Sequence, residues 1–291
     1  RQHGRLAVLG GVLFHDWRRF RYLRRAGNLL SVEPAFSYDD PAWDGVTDAY
    51  LRTDTRDLLQ EITEIWNDET ADYLFFSALL HQSTTYSATF LALPHVIALA
   101  ETEPPERRHT IAIFLGGVAL HGQLPATSGG VSLAENEPWA ATPTGQRARE
   151  VFRASLPRIA RICEVSYRED PNVYHASGVA AALGYLALAY RLEGGTGAHV
   201  ECPACAKVFA WQIFGDRLAI YSESISLEDV RSGRPDHAAS HAKYGPDTPE
   251  IEALRQRLAP FDPDTAAILA NFTATAACPA CGKSCTPLTL R

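Results

Sequence analysis

Six cysteines stand in 291 residues, too sparse for a disulfide scaffold, so their spacing decides their chemistry. Four of them fall in two matching turns, Cys202-Pro203-Ala204-Cys205 and Cys278-Pro279-Ala280-Cys281-Gly282. A Cys-x-x-Cys turn brings two sulfurs to one side of the chain, and small residues after the second Cys let backbone amides face them. Two such turns complete a tetrahedral four-sulfur site, the closed geometry of a structural zinc ion. A redox dithiol needs a strand running into a helix, a context that the stretch from Cys202 to Phe209 lacks. Four Cys ligands leave no coordination position open, so the expected zinc stabilises a fold and implies no catalysis. Cys285, beyond the second turn, can exchange as a ligand, pack or stay free. Cys163, beside Ile159 and Ile162, reads as a core thiol.

The other candidate groups carry weaker signals. His81 and His121 close two successive predicted helices, which would set them on one rim with Tyr86 and His95 nearby. They read either as a ligand or metal pocket or as helix-terminal histidines meeting the last carbonyls. His237 and His241 have an i, i+4 spacing, but Gly233, Pro235, Gly245 and Pro246 bound their segment and no carboxylate completes a His-Glu-x-x-His pattern, so a solvated loop is expected. Asp39-Asp40 and the group Glu61, Glu64, Asp68, Glu69 and Asp72 read as a solvated acidic face able to meet a basic partner. No nucleophile elbow, phosphate loop, dinucleotide fingerprint or Cys-His-Asn arrangement stands at recognisable spacing, so no catalytic or cofactor-binding residue is nominated.

Periodicity and breakers define the elements that must position these groups. Leu13, Phe14, Trp17, Phe20 and Leu23, interleaved with Arg18, Arg19, Arg21, Arg24 and Arg25, predict a basic amphipathic helix over about 12–26. It would either cap the helices that follow or grip an acidic partner. Residues 31–47 read as a loop. Six helices are then expected, near 55–66, 69–81, 84–101, 107–121, 144–167 and 172–192, with Ser83-Thr84-Thr85 as a cap for the third and a Gly/Pro/Ser-rich loop over 122–143. Gly194-Gly195-Thr196-Gly197 ends the helical run and marks a domain boundary. Around the first Cys turn, His199 to Glu201, Val208 to Ile213 and Leu218 to Tyr221 alternate as strands do, which predicts a zinc-ribbon-like module. Further helices near 248–259 and 262–276 are inserted between its two turns.

Within the helical run, Leu79-Leu80-His81-Gln82 and Ala119-Leu120-His121-Gly122-Gln123 lie 40 residues apart. Leu93-Pro94-His95-Val96-Ile97 and Leu156-Pro157-Arg158-Ile159-Ala160 lie 63 apart, and removing the 122–143 loop brings that offset close to the first. A period of about 40 residues is that of helix pairs stacked into a solenoid, each pair burying its apolar face only against its neighbours. The stretch His81-Gln82-Ser83-Thr84-Thr85-Tyr86-Ser87-Ala88-Thr89, followed by Ala92-Leu93-Pro94-His95-Val96-Ile97, resembles bacterial HEAT-repeat-like proteins over about residues 55–192. That resemblance implies a helical-repeat fold and a binding surface rather than a reaction. The 122–143 loop departs from a regular array, and the region after 198 is an addition to it.

The expected fold is therefore mainly α. A basic helix over 1–30 precedes a HEAT-like α-solenoid over 48–193 and a small zinc-ribbon-like β element with inserted helices over 198–291. About two domains suit the length. Residues 1–30 carry seven Arg and one Asp, whereas the whole chain is −7 at pH 7, so the body is acidic and argues against broad nucleic-acid binding. No window approaches 18 uninterrupted apolar residues, and Gly10-Gly11 and Asp16 to Arg19 break the basic start before it can form a secretory core. A cytoplasmic protein without a membrane span is expected. The expected function is that of an adaptor binding a protein partner. The alternatives are nucleic-acid binding through the basic start and the ribbon aromatics Phe209, Trp211 and Phe214, or an enzyme with a pocket between solenoid and ribbon.

Overall fold

The computed structural model describes residues 35–126, 129–194, 197–214, 217–222, 243–244 and 246–285; the basic stretch at 12–26, Gly195-Thr196, His237 and His241 lie outside them. The described chain is mainly helical with a few short strands. Among the described residues no helix is long and apolar enough to cross a membrane.

Local signals place most helix ends. Helix α1 (Thr55–Glu64) buries Leu59 and Ile62, and Asn67 caps α2 (Asp68–Tyr73) by accepting the Thr70 N–H at 2.8 Å. Glu61, Glu64, Asp68, Glu69 and Asp72 are all exposed on these helices, the solvated acidic face their spacing predicts. Asp40 is instead structural: it caps a short turn by accepting the Ala42 N–H and pairs with Arg147 at 2.6 Å. The chain after α2 widens into one π-helical segment, Leu74–Leu79, rather than continuing as an α-helix to His81. Leu80–His81 (β1) then pairs antiparallel with Thr84–Thr85 (β2) across Gln82 and Ser83, whose φ values are 48° and 60°. The expected Ser83-Thr84-Thr85 cap is thus a hairpin. Helix α3 (Ser87–Thr102) is capped at Thr89, whose Oγ1 accepts the Tyr86 N–H at 2.9 Å.

Helix α4 (Pro105–His121) begins on the proline that follows the end of α3. Helix α5 (Pro143–Glu169) begins at Thr142, whose Oγ1 accepts the Gly145 N–H at 3.0 Å. The expected sixth helix is two. Helix α6 (Val173–Ala182) stops at Gly184, with φ of 83° and the Tyr185 N–H returning to the Ala180 carbonyl at 2.9 Å, and α7 (Leu186–Glu193) turns back along α6. α3 packs on α5 and α4 on α6, and each of these helices also packs on its neighbour in sequence. Pro94 and Pro157, the two matched Leu-Pro positions, fall inside α3 and α5, which pack on one another.

Beyond α7, strands β3 (Gly197–Glu201), β4 (Val208–Phe214) and β5 (Arg217–Ser222) form one antiparallel sheet in sequence order. β6 (Lys243–Tyr244), β7 (Ala274–Ala277) and β8 (Ser284–Cys285) form a second set. Helices α8 (Pro249–Leu258) and α9 (Pro263–Phe272) lie between β6 and β7 in sequence, but they pack on α5, α6 and α7. Ile251, Leu254, Leu258, Ile268, Leu269 and Phe272 join one apolar core with the preceding helices. Tyr167 Oη donates to Asp262 Oδ2 and accepts the Asp262 N–H, both at 2.9 Å, which fixes the start of α9 against α5.

His95, on α3, is buried. Its Nε2–H donates to the Phe36 carbonyl and its ring stacks on Tyr38 with centroids 4.3 Å apart. Burial pushes its pKa below the ordinary imidazole value, partly offset by the Phe36 bond. The unfolded chain then binds the extra proton more readily. The contribution of His95 to stability is complete above about pH 6.5 and is lost as pH falls below it. The urea midpoint is expected to fall between pH 7.5 and 5.5, and His95→Gln, whose amide can still donate to Phe36, is expected to flatten that fall. Equal slopes in the two proteins would contradict this account.

Candidate metal centre

Both Cys turns sit in β-hairpins: the first joins β3 to β4 and the second joins β7 to β8. Their backbones repeat one pattern. In the first, the Cys202 N–H donates to the Lys207 carbonyl and the Ala206 N–H to the Cys202 carbonyl, each at 2.9 Å. In the second, the Cys278 N–H donates to the Lys283 carbonyl at 2.8 Å and the Gly282 N–H to the Cys278 carbonyl at 2.9 Å. The residue after the second Cys is left-handed in both, with φ of 57° at Ala206 and 73° at Gly282. Glycine adopts this conformation freely and alanine does not. Ala206→Gly is therefore expected to stabilise the protein by about 0.5–1 kcal/mol, read as a higher urea midpoint, whereas Gly282→Ala should destabilise it by a similar amount.

The two hairpins bring Cys202, Cys205, Cys278 and Cys281 together, with all four sulfurs within 4.8 Å of one another. Two contacts cross between the turns: Cys202 Sγ lies 3.8 Å from Cys281 Sγ, and Cys205 Sγ lies 3.7 Å from Cys278 Sγ. Each pair joins a buried sulfur, on Cys202 or Cys278, to one nearer solvent. None of the cysteines is in a disulfide. A tetrahedral ion with metal–sulfur bonds of about 2.3 Å has sulfur–sulfur edges of about 3.8 Å, so the cross-turn spacings fit a metal ion held by four thiolates.

The electrostatics also suit a cation. The Ala204 amide, and after it the Cys205 amide, point at Cys202 Sγ and hold its thiol down at about 6. The Lys207 amide likewise faces Cys205 Sγ, yet desolvation and the sulfurs of Cys202, Cys278 and Cys281 push Cys205 up to about 12. Four thiolates in contact repel one another, and a bound divalent cation removes that penalty.

Cys285 is buried at the end of β8 and stays outside the group of four. Its Sγ donates to the Lys283 carbonyl at 3.6 Å, and burial, together with Cys202, pushes its thiol up to about 12. Cys163 is the expected core thiol: it is fully buried, raised to about 12 by desolvation, and its Sγ donates to the Ala112 carbonyl at 3.5 Å.

The histidines do not converge. His121 ends α4 and is buried, but His81 lies in β1, half-buried against Tyr50 with ring centroids 5.8 Å apart, so the two do not occupy equivalent helix ends. His95 faces Phe36 and Tyr38 instead. The partner of His121 is one that the spacing did not indicate: its Nε2 meets Glu193 Oε2 at 2.7 Å, because α7 folds back on α6. Among the described residues, the four Cys form the one group of His, Cys, Asp and Glu side chains able to hold a metal ion. No protein family, no curated protein and no solved structure matches the chain.

Proposed function

We propose that the chain is a binding protein in which a HEAT-like helical array presents a surface to a protein partner and a zinc-ribbon-like module holds one structural zinc ion on Cys202, Cys205, Cys278 and Cys281. The observation that carries this reading is the four-sulfur cluster, whose cross-turn contacts of 3.8 and 3.7 Å suit a closed tetrahedron with no position for water or substrate. An ion held in that way beside a helical body supports recognition rather than turnover.

Two further features support a protein partner. The packing of α3 on α5 and of α4 on α6 suits a helical array. The large apolar side chains exposed among the described residues are Tyr50, Leu51, Ile65, Tyr174 and Tyr190, and tyrosine is enriched where proteins meet. Phe209 is buried and offers no face to a base, while the side chains of Trp211 and Phe214 lie outside those described.

Affinity capture at moderate salt, with and without nuclease, tests the reading. A stoichiometric protein that survives nuclease and is lost on Tyr174→Asp or Tyr50→Asp supports it. Loss of all captured material on nuclease treatment would transfer the function to nucleic acid, and absence of any partner would favour an enzyme.

A further inference from the structure

A cavity of about 210 Å³ opens beside α4 and α6, and no cysteine lines it. Phe76 of the π-helical segment, Ile113 and Gly117 of α4, Tyr174 of α6, Ser83 of the β1–β2 turn and Glu193 at the end of α7 line it. Two irregular backbones border this one space. The π-helical segment supplies Phe76, and the hairpin turn supplies Ser83 at a φ of 60°, a left-handed conformation that a residue other than glycine holds only at a cost. A Cβ on Gly117 would come within 2.5 Å of Leu80 Cδ2, so the absent side chain leaves room for both Leu80 and the cavity.

The lining has one formal charge, the Glu193 carboxylate. It stands on the last residue of α7, where the helix dipole is negative and where a cation is favoured. His121 Nε2–H donates to Oε2 and orients the carboxylate, while Oε1 has no partner among the described residues. Phe76 and Tyr174 add aromatic side chains to the same lining, and Ile113 an aliphatic one. An anion would be repelled at such a site, and a neutral apolar molecule would leave the carboxylate unmatched. A cation on a short apolar stem satisfies both the charge and the walls. A cavity of about 150 Å³ holds benzene, so this one suits a molecule of roughly six to nine non-hydrogen atoms.

We propose that this cavity binds an organic cation, a primary ammonium or a guanidinium on a short apolar stem, with the charge on Glu193 and the stem between Phe76, Ile113 and Tyr174. The cation is either a free small amine or the side chain of a Lys or Arg in a polypeptide. The proposal does not depend on the metal or on a protein partner, since a free amine would fill the cavity in the absence of either.

The test titrates the full chain with n-butylguanidinium and n-pentylammonium chloride, using butyrate and pentan-1-ol as controls, read by saturation-transfer NMR and calorimetry. Saturable binding of the two cations is expected, with the controls at least about tenfold weaker. Glu193→Gln, which keeps an acceptor for His121, is expected to weaken the cations about tenfold or more while leaving the melting temperature near that of the native chain. Gly117→Leu is expected to fill the cavity and abolish binding; if that variant fails to fold, Glu193→Gln carries the test. A short peptide, acetyl-Leu-Arg-Leu-amide, separates the sources: tighter binding than butylguanidinium indicates a polypeptide side chain, and weaker binding indicates a free amine. Equal affinity for butyrate and the cations, unchanged cation affinity in Glu193→Gln, or no saturable binding to the folded chain would overturn the proposal.

Discussion

Replacing Cys278 by Ser is expected to release the metal and to unfold the strands around both cysteine turns while leaving the helices folded. The Cys278 sulfur is buried and lies 3.7 Å from Cys205 Sγ, so its loss breaks a contact between the two turns as well as one within its own. Structural zinc in small modules contributes about 10–16 kcal/mol of binding free energy that is also folding free energy. The strands here are short, with β8 only two residues long, and cannot replace that contribution by their own pairing.

Helices α8 and α9 have a separate anchor. Ile251, Leu254, Leu258, Ile268, Leu269 and Phe272 remain in the shared core, and Tyr167 still holds Asp262. Far-UV circular dichroism should therefore keep most of its helical signal, while limited proteolysis cuts newly within 197–222 and 274–285. Chelation of the native chain should reproduce the same cuts. Cys285→Ser should leave both metal content and cleavage pattern unchanged, since that thiol lies outside the four-sulfur group. Loss of the helical signal in Cys278→Ser would show that the metal holds the whole molecule rather than its end.

A second large effect is expected where α4 and α6 cross. A Cβ on Gly178 would lie 2.7 Å from Cys163 Sγ and 2.9 Å from Gly116 Cα, and a Cβ on Gly116 would lie 2.8 Å from Gly178 Cα. Two helices meet here backbone to backbone, with the thiol of α5 laid over the contact. Close-packed interiors have no slack for a methyl group at such a point. Gly178→Ala and Gly116→Ala should each destabilise the protein by about 2–3 kcal/mol in urea unfolding.

The two substitutions differ in what they strike. Gly178→Ala meets a side chain, so adding Cys163→Ala should recover part of the loss as a favourable coupling of about 1 kcal/mol in a double-mutant cycle. Gly116→Ala meets backbone, and no rescue by Cys163→Ala is expected. Near-native stability in both glycine variants would mean that α4 and α6 lie further apart than described.

These features were unequally legible in the sequence, for physical reasons. The cysteine turns were readable because metal ligation imposes a short local spacing, and Cys-Pro-Ala-Cys occurs twice. The helices were readable where breakers end them, as at Pro104-Pro105 and Gly194, whereas the caps at Thr142 and Asn67 emerge only in the structure. The break at Gly184 carried a signal, a lone glycine, that the alanine-rich run around it obscured. The hairpin at Leu80 to Thr85 carried none, because Gln82 and Ser83 are not residues that announce a left-handed turn. The pairing of His121 with Glu193 was invisible for another reason: it depends on α7 folding back over α6, a tertiary event that no local spacing encodes. The place of α8 and α9 was legible as insertion but not as packing, since an amphipathic face does not say which neighbour covers it.

The central claim is that four thiolates share one ion. The most direct measurement is the metal content of the full chain purified without chelator, by elemental mass spectrometry, beside Cys202→Ser and Cys285→Ser prepared in the same way. One zinc per chain in the native protein and in Cys285→Ser, with little or none in Cys202→Ser, is the predicted result. A native chain with well below one metal ion per molecule, or zinc that persists in Cys202→Ser, would contradict it.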